Sequence, residues 1–199
     1  MQRRYFTLSI LHLAILLVSC TTLLSQETKT LEDYRMPTDI PAPVELTQTV
    51  EAEIASRIPP KDCPVTTFSK PTFAAPEPYS PSAPWDGIFW FGSEHLWTAL
   101  HNDGVWSGLP KTSDGFTQKI MWWSDLYDLS NEPKPALVVT GHRLDGESPD
   151  LRFYGATNAM ADDIGEAMLT GVEFPTLGCW EVSGEYKKME ITFVVWIAP

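Results

Sequence analysis

From Trp85 to the carboxy terminus, apolar and polar residues alternate in short runs separated by turn residues. HLWTAL (95–100) leads into Asn102-Asp103-Gly104, a strong turn signal, and then VWSGLP. FTQKIMWW (116–123) places Phe116, Ile120 and Trp122 on one face of a strand. ALVVTGHR (136–143) reads as a strand ending at the Asp145-Gly146 turn. LRFYGAT (151–157) and EAMLTGVEF (166–174) follow, the latter closed by Pro175 and Gly178. In CWEVSGEY, Trp180, Val182 and Tyr186 share a face. In MEITFVVWI, Met189, Ile191, Phe193, Val195 and Ile197 do. Period-two alternation of this length predicts an antiparallel hairpin around Gly184 to Lys188 with both apolar faces in one core. Seven or so short strands at this spacing predict an all-β fold, an antiparallel β-sandwich over residues 85–199.

Residues 20–84 read differently. LTQTVEAEIASR (46–57) predicts a three-turn helix with Leu46, Val50 and Ile54 at four-residue spacing, ended by Pro59 and Pro60. From Pro59 to Pro84 the chain carries eight prolines. Proline lacks an amide donor and fixes φ, so this tail is neither helix nor central strand. Two arrangements suit it: a loose tether, or a strap lying on the domain. Cys63 inside the stretch favours the strap, with Phe68, Phe73 and Tyr79 packing on the sandwich.

The first residues, MQRRYFTLSILHLAILLVSC, pair Arg3 and Arg4 with an apolar run from Phe6 to Val18 and a small Ser19. That run is shorter than the roughly 20 residues of a spanning helix. It has the form of an export signal over 1–19. Leu17-Val18-Ser19-Cys20 resembles the bacterial lipobox. The resemblance implies cleavage before Cys20, diacylglycerol on its thiol, and a fatty acyl chain such as palmitate on the new amino group. It places the chain in the cell envelope, anchored to membrane and facing the periplasm or exterior.

The closing pair, Gly178-Cys179-Trp180-Glu181-Val182 and Ile191-Thr192-Phe193-Val194-Val195, resembles the final strands of bacterial extracytoplasmic immunoglobulin-like domains. The region from Trp85 resembles lipoproteins of that type. This implies an immunoglobulin-like sandwich and no chemistry. The immunoglobulin Cys…Trp…Cys spacing is absent.

Charge narrows the partners. The chain has a formal charge of −12; removing Arg3 and Arg4 with the leader leaves 12 basic against 26 acidic side chains, or −14. Such a surface repels phosphate backbones and anionic headgroups, so nucleic acid is a poor partner and membrane contact rests with the lipid. With Cys20 acylated, Cys63 and Cys179 remain, and two thiols in an oxidising compartment predict a disulfide. Cys179 alternates with Trp180, so this bridge pins the strap to the outside or end of the sheet.

Candidate chemistry is sparse. His95, His101 and His142 are the imidazoles available to copper or zinc, but no short His-x-His motif joins them. Asp162, Asp163 and Glu166 lie in an acidic stretch, 158–166, without the spacing of a calcium loop, and its residues 158–165 read as a helical turn or solvated loop. Ser93 stands near His95, with no Gly-x-Ser-x-Gly around it. No phosphate-cradling glycine loop or other catalytic constellation occurs, so no cofactor is implied and the chain reads as a non-enzymatic protein.

All eight tryptophans lie between Trp85 and Trp196. Adjacent Trp122 and Trp123 face opposite sides of a strand, and Trp196 alternates with the core face. Trp123 and Trp196 are therefore the candidate ligand surface, for a glycan or a protein partner. The competing reading has the proline-rich strap covering that second face. The sequence thus predicts an anchored envelope lipoprotein with a binding or structural role; the alternatives are a tryptophan-based glycan or peptide module and a metal-binding protein.

Overall fold

The computed structural model describes residues 50–52, 54–69, 73–79 and 85–199, all within one compact unit, Pro41–Pro199. The leader, Cys20 and the tail up to residue 49 lie outside the described residues.

Among the described residues, nine strands form two sheets. They are β1 (Ile88–Ser93), β2 (Leu96–His101), β3 (Val105–Trp106), β4 (Phe116–Trp123), β5 (Val138–Arg143), β6 (Arg152–Ala161), β7 (Gly165–Phe174), β8 (Gly178–Tyr186) and β9 (Met189–Ile197). One sheet has the order β1-β2-β4-β7-β6 and the other β3-β9-β8-β5. From β4 to β9 the connectivity is that of immunoglobulin strands B to G: B, E and D in one sheet, C, F and G in the other. Every pairing is antiparallel except β3 with β9. The fold is thus the expected immunoglobulin-like sandwich, with an added edge strand β1.

The inter-sheet core is aromatic. Trp122, Trp180, Phe174, Phe193 and Tyr186 are all under 2 % exposed. Trp122 meets Phe193 at 5.9 Å between ring centroids, and Phe174 meets Trp180 at 5.3 Å. The indole N–H of Trp122 donates to Thr170 Oγ1 (3.0 Å), and the Thr170 hydroxyl donates on to the Ile120 carbonyl (3.2 Å). That relay keeps the buried polar atoms paired. An immunoglobulin domain would carry its inter-sheet disulfide between strands B and F; here Trp122 of β4 lies against Gly184 of β8 instead.

Two local expectations need correction. IFWFGS forms the unexpected β1. Its apolar run does not alternate because both faces are covered: Phe89 enters the inter-sheet core and Trp90 a second cluster. Of residues 158–165, expected as a helical turn or solvated loop, only 162–164 form a turn, with Asp162 and Asp163 exposed. Asn158–Ala161 continue β6, and Ala161 pairs with Gly165 across a three-residue loop. Ile164 N–H bonds to Ala161 O (3.2 Å) and Gly165 takes φ +64°, the left-handed residue that closes such hairpins.

The second cluster lies on the outer face of the five-stranded sheet. Trp90, Trp97, Trp123, Ile164 and Ala167 pack there against Ala75, Phe73 and Tyr79 of the proline-rich segment. Phe73 and Tyr79 lie 5.8 and 5.5 Å from the Trp97 ring, and Tyr79 Oη donates to Glu166 O. Earlier in the chain, residues 50–52 and 54–56 are helical. Cys63 is bonded to Cys179 with Cα atoms 5.7 Å apart, and Thr66 N–H bonds to Val194 O (2.8 Å). Phe68 packs on Phe89 at 5.9 Å. The described parts of residues 54–79 are therefore a strap on the sandwich, and Thr66 shields part of the β9 edge that two-residue β3 leaves open.

Candidate functional site

β2 and β4 pair at only two positions, Trp97↔Trp123 and Thr98↔Trp122. Beyond Thr98 they diverge: β2 stays paired with β1 as far as His101 but no longer with β4. The chain then turns through Asn102-Asp103-Gly104 and enters the other sheet as β3, parallel to β9. Asp103 Oδ1 accepts from Val105 N–H, and Gly104 (φ +68°) sits where an added Cβ would meet Val65 and Thr66. The turn needs this glycine for both reasons.

The divergence opens a cleft of about 330 Å³. Its apex is closed by Thr98, whose hydroxyl donates to Met121 O at 2.7 Å where the ladder stops. Its walls are Ile88, Ala99, Ile120 and Met121, with the Trp106 indole buried among them. Trp85, 42 % exposed, stands at its rim. Asp86, His101, Gln118 and Lys119 supply polar groups of both donor and acceptor kind. Gln118 Oε1 also accepts from Lys119 N–H, on a strand with no further β2 partner. Apolar walls with a few polar groups at the mouth, in a volume near the low end of the ~300–1,000 Å³ range, describe a small-ligand site.

The residues picked from sequence fall elsewhere. Trp123 is 0 % exposed, and its indole N–H donates to Ile164 O (2.9 Å) beneath the strap. It faces outward from the inter-sheet core, and of the two readings left open for it the strap covers this face. Trp196 is half-buried on the other sheet, its indole N–H bonded to Ser56 O (3.2 Å). The two tryptophans lie on outer faces of different sheets and form no common surface.

The histidines are also dispersed. His95 precedes β2 and His101 ends it, so at about 3.3 Å per residue they stand roughly 20 Å apart. His142 lies on β5 of the other sheet, 3.8 Å from Glu181. Among the described residues, no three His, Cys, Asp or Glu side chains are grouped to hold a metal ion. His95 Nδ1 lies 2.9 Å from Asp125 Oδ2, and that hydrogen bond raises its pKa above the ordinary histidine value. The Ser93 hydroxyl donates to Leu96 O. Glu166 Oε2 accepts from Leu129 N–H, a structural bond.

Sequence reading missed the cleft. Its one linear signal was the Asn102-Asp103-Gly104 turn after a strand. That the chain changes sheets there depends on long-range pairing, which no local pattern encodes.

No family model matches the chain, and no curated protein matches it. Among solved structures, a candidate lipoprotein from Bacillus anthracis is similar over 65 % of this chain and 97 % of its own, at 12 % identity and a TM-score of 0.31. A likeness that low carries neither fold nor function across.

Proposed function

We propose that this chain is an exported lipoprotein, anchored to a membrane of the cell envelope through Cys20, whose immunoglobulin-like domain has a binding role there. The observation that carries the reading is the leader ending in Leu17-Val18-Ser19-Cys20. The Cys63–Cys179 bridge supports it, since structural disulfides belong to oxidising compartments. A formal charge of −14 after cleavage confines membrane contact to the lipid. With two or three chains, each methylene contributing about 0.8 kcal/mol, the anchor is stable.

Binding suits the domain better than catalysis. Among the described residues, the His–Asp pair His95–Asp125 sits exposed at a hairpin, and the neighbouring Ser93 hydroxyl is committed to a carbonyl. Asp86, His101, Gln118 and Lys119 line the cleft between β2 and β4.

Metabolic labelling tests the anchor. Labelled palmitate should enter the wild-type chain and disappear from Cys20→Ser. A wild-type chain that takes up no label contradicts the reading.

A further inference from the structure

We propose that the cleft between β2 and β4 binds a neutral saccharide about the size of a disaccharide. The proposal rests on the reading of the domain as an envelope binding module and names its ligand class.

The cleft is a consequence of topology. After Thr98, β2 keeps its β1 partner as far as His101 but no longer pairs with β4, and beyond His101 the chain crosses to the other sheet as β3. Thr98 satisfies the Met121 carbonyl at that point, so the sheet ends in a closed apex. The space below the apex persists without leaving that carbonyl unpaired in the interior.

Its lining fits the two-sided chemistry of a sugar. A pyranose presents an apolar C–H face and a rim of hydroxyls. Trp85 offers a flat, exposed indole at the mouth, and Trp106, 4 % exposed, packs in the wall. Ile88, Ala99 and Met121 extend the apolar surface. Asp86 accepts hydrogen bonds, Lys119 donates them, and Gln118 and His101 do both. Hydroxyls use partners of both kinds. A purely apolar ligand would strip water from Asp86 and Lys119 and return nothing.

Charge selects a neutral ligand. One carboxylate and one ammonium line the mouth, so neither sign is favoured locally. The surrounding field is strongly acidic and opposes an anion. A cation would meet Lys119.

The test uses the full mature chain in a zwitterionic detergent, which carries no sugar headgroup to compete. N,N′-diacetylchitobiose and cellobiose are titrated to about 20 mM with heat and ligand-observed NMR as readouts. At least one sugar should saturate with a millimolar or tighter Kd. Trp85→Ala should weaken it about tenfold or more, and Trp85→Phe, which keeps an aromatic face, should restore much of the loss. Lys119→Ala, at another exposed position, should weaken it about threefold or more by removing a donor. Raising salt from about 0.05 to 0.5 M should leave the Kd unchanged, because the ligand is uncharged. Absence of saturation with both sugars, or an unchanged Kd in both Trp85→Ala and Lys119→Ala, overturns the proposal. Palmitate labelling does not depend on the cleft. A labelled chain that ignores sugar refutes only this inference; a sugar-binding chain without label refutes only the anchor.

Discussion

Gly184 sits in the middle of β8, opposite Ile191, where glycine ordinarily weakens a strand. Its lack of a side chain is what admits the indole of Trp122. All three atoms nearest to an added Cβ belong to that ring, and Trp122 is fully buried with its N–H committed to Thr170. The indole cannot retreat without breaking that bond. Gly184→Ala should therefore destabilise the domain by about 2–3 kcal/mol, the upper part of the overpacking range, read as a lower midpoint in urea unfolding. Ordinary stability in that variant would show that the core repacks freely around residue 184. In the sequence this glycine was legible only as a hairpin signal, since nothing local distinguishes a turn glycine from one that makes room for a distant ring. The same limit applies to Trp123 and Trp196. Alternation gave the correct face for each, outward from the inter-sheet core, and the strap was one of two readings for Trp123, but nothing in the sequence pointed to Ser56 beside Trp196.

The β8–β9 hairpin turns through Lys187 and Lys188, between the closing pair Tyr186 and Met189. Both lysines have positive φ, 47° and 70°. A two-residue turn of this hand prefers Asn-Gly, and each non-glycine residue there costs roughly 1–2 kcal/mol. Lys187 has compensation: its Nζ donates to Leu126 O (2.6 Å) and lies 3.2 Å from Glu132. Lys188 has no such bond among those described, so Lys188→Gly should stabilise the domain by about 0.5–1 kcal/mol after the entropy of a freer unfolded chain is subtracted. Thermal melting checks this, and an unchanged or lower midpoint would contradict it. Elements with one buried face were the legible ones. The bounds of β4 match the FTQKIMWW run, and β8 and β9 follow their alternation. β1 escaped because burial on both faces erases alternation. The end of β6 escaped because its exposed face and acidic turn imitate a loop.

At the scale of the molecule, each sheet is buried on one face and partly covered on the other. The sandwich buries one face of each sheet against the other. The strap covers part of both outer faces, at Trp196 through Ser56, at Cys179 through the disulfide, and at Trp97 and Trp123 through Phe73 and Tyr79. The disulfide spans 116 residues, a loop whose closure contributes about 4–5 kcal/mol on the chain-entropy account. That term exists only where the thiols stay oxidised. On the proposed reading, cleavage of the leader, lipid on Cys20 and oxidation of Cys63 with Cys179 belong to one itinerary out of the cytoplasm. Cysteine arithmetic and proline content made the bridge and the strap legible in sequence, and the choice of strap over tether needed the contacts of Thr66, Phe68 and Tyr79. The most direct test is the intact mass of the chain extracted from membranes without reducing agent. It should correspond to residues 20–199 carrying a diacylglyceryl group and an acyl chain, and lacking two hydrogens for the Cys63–Cys179 bond. A mass equal to the uncut, unacylated chain with three free thiols would contradict the account.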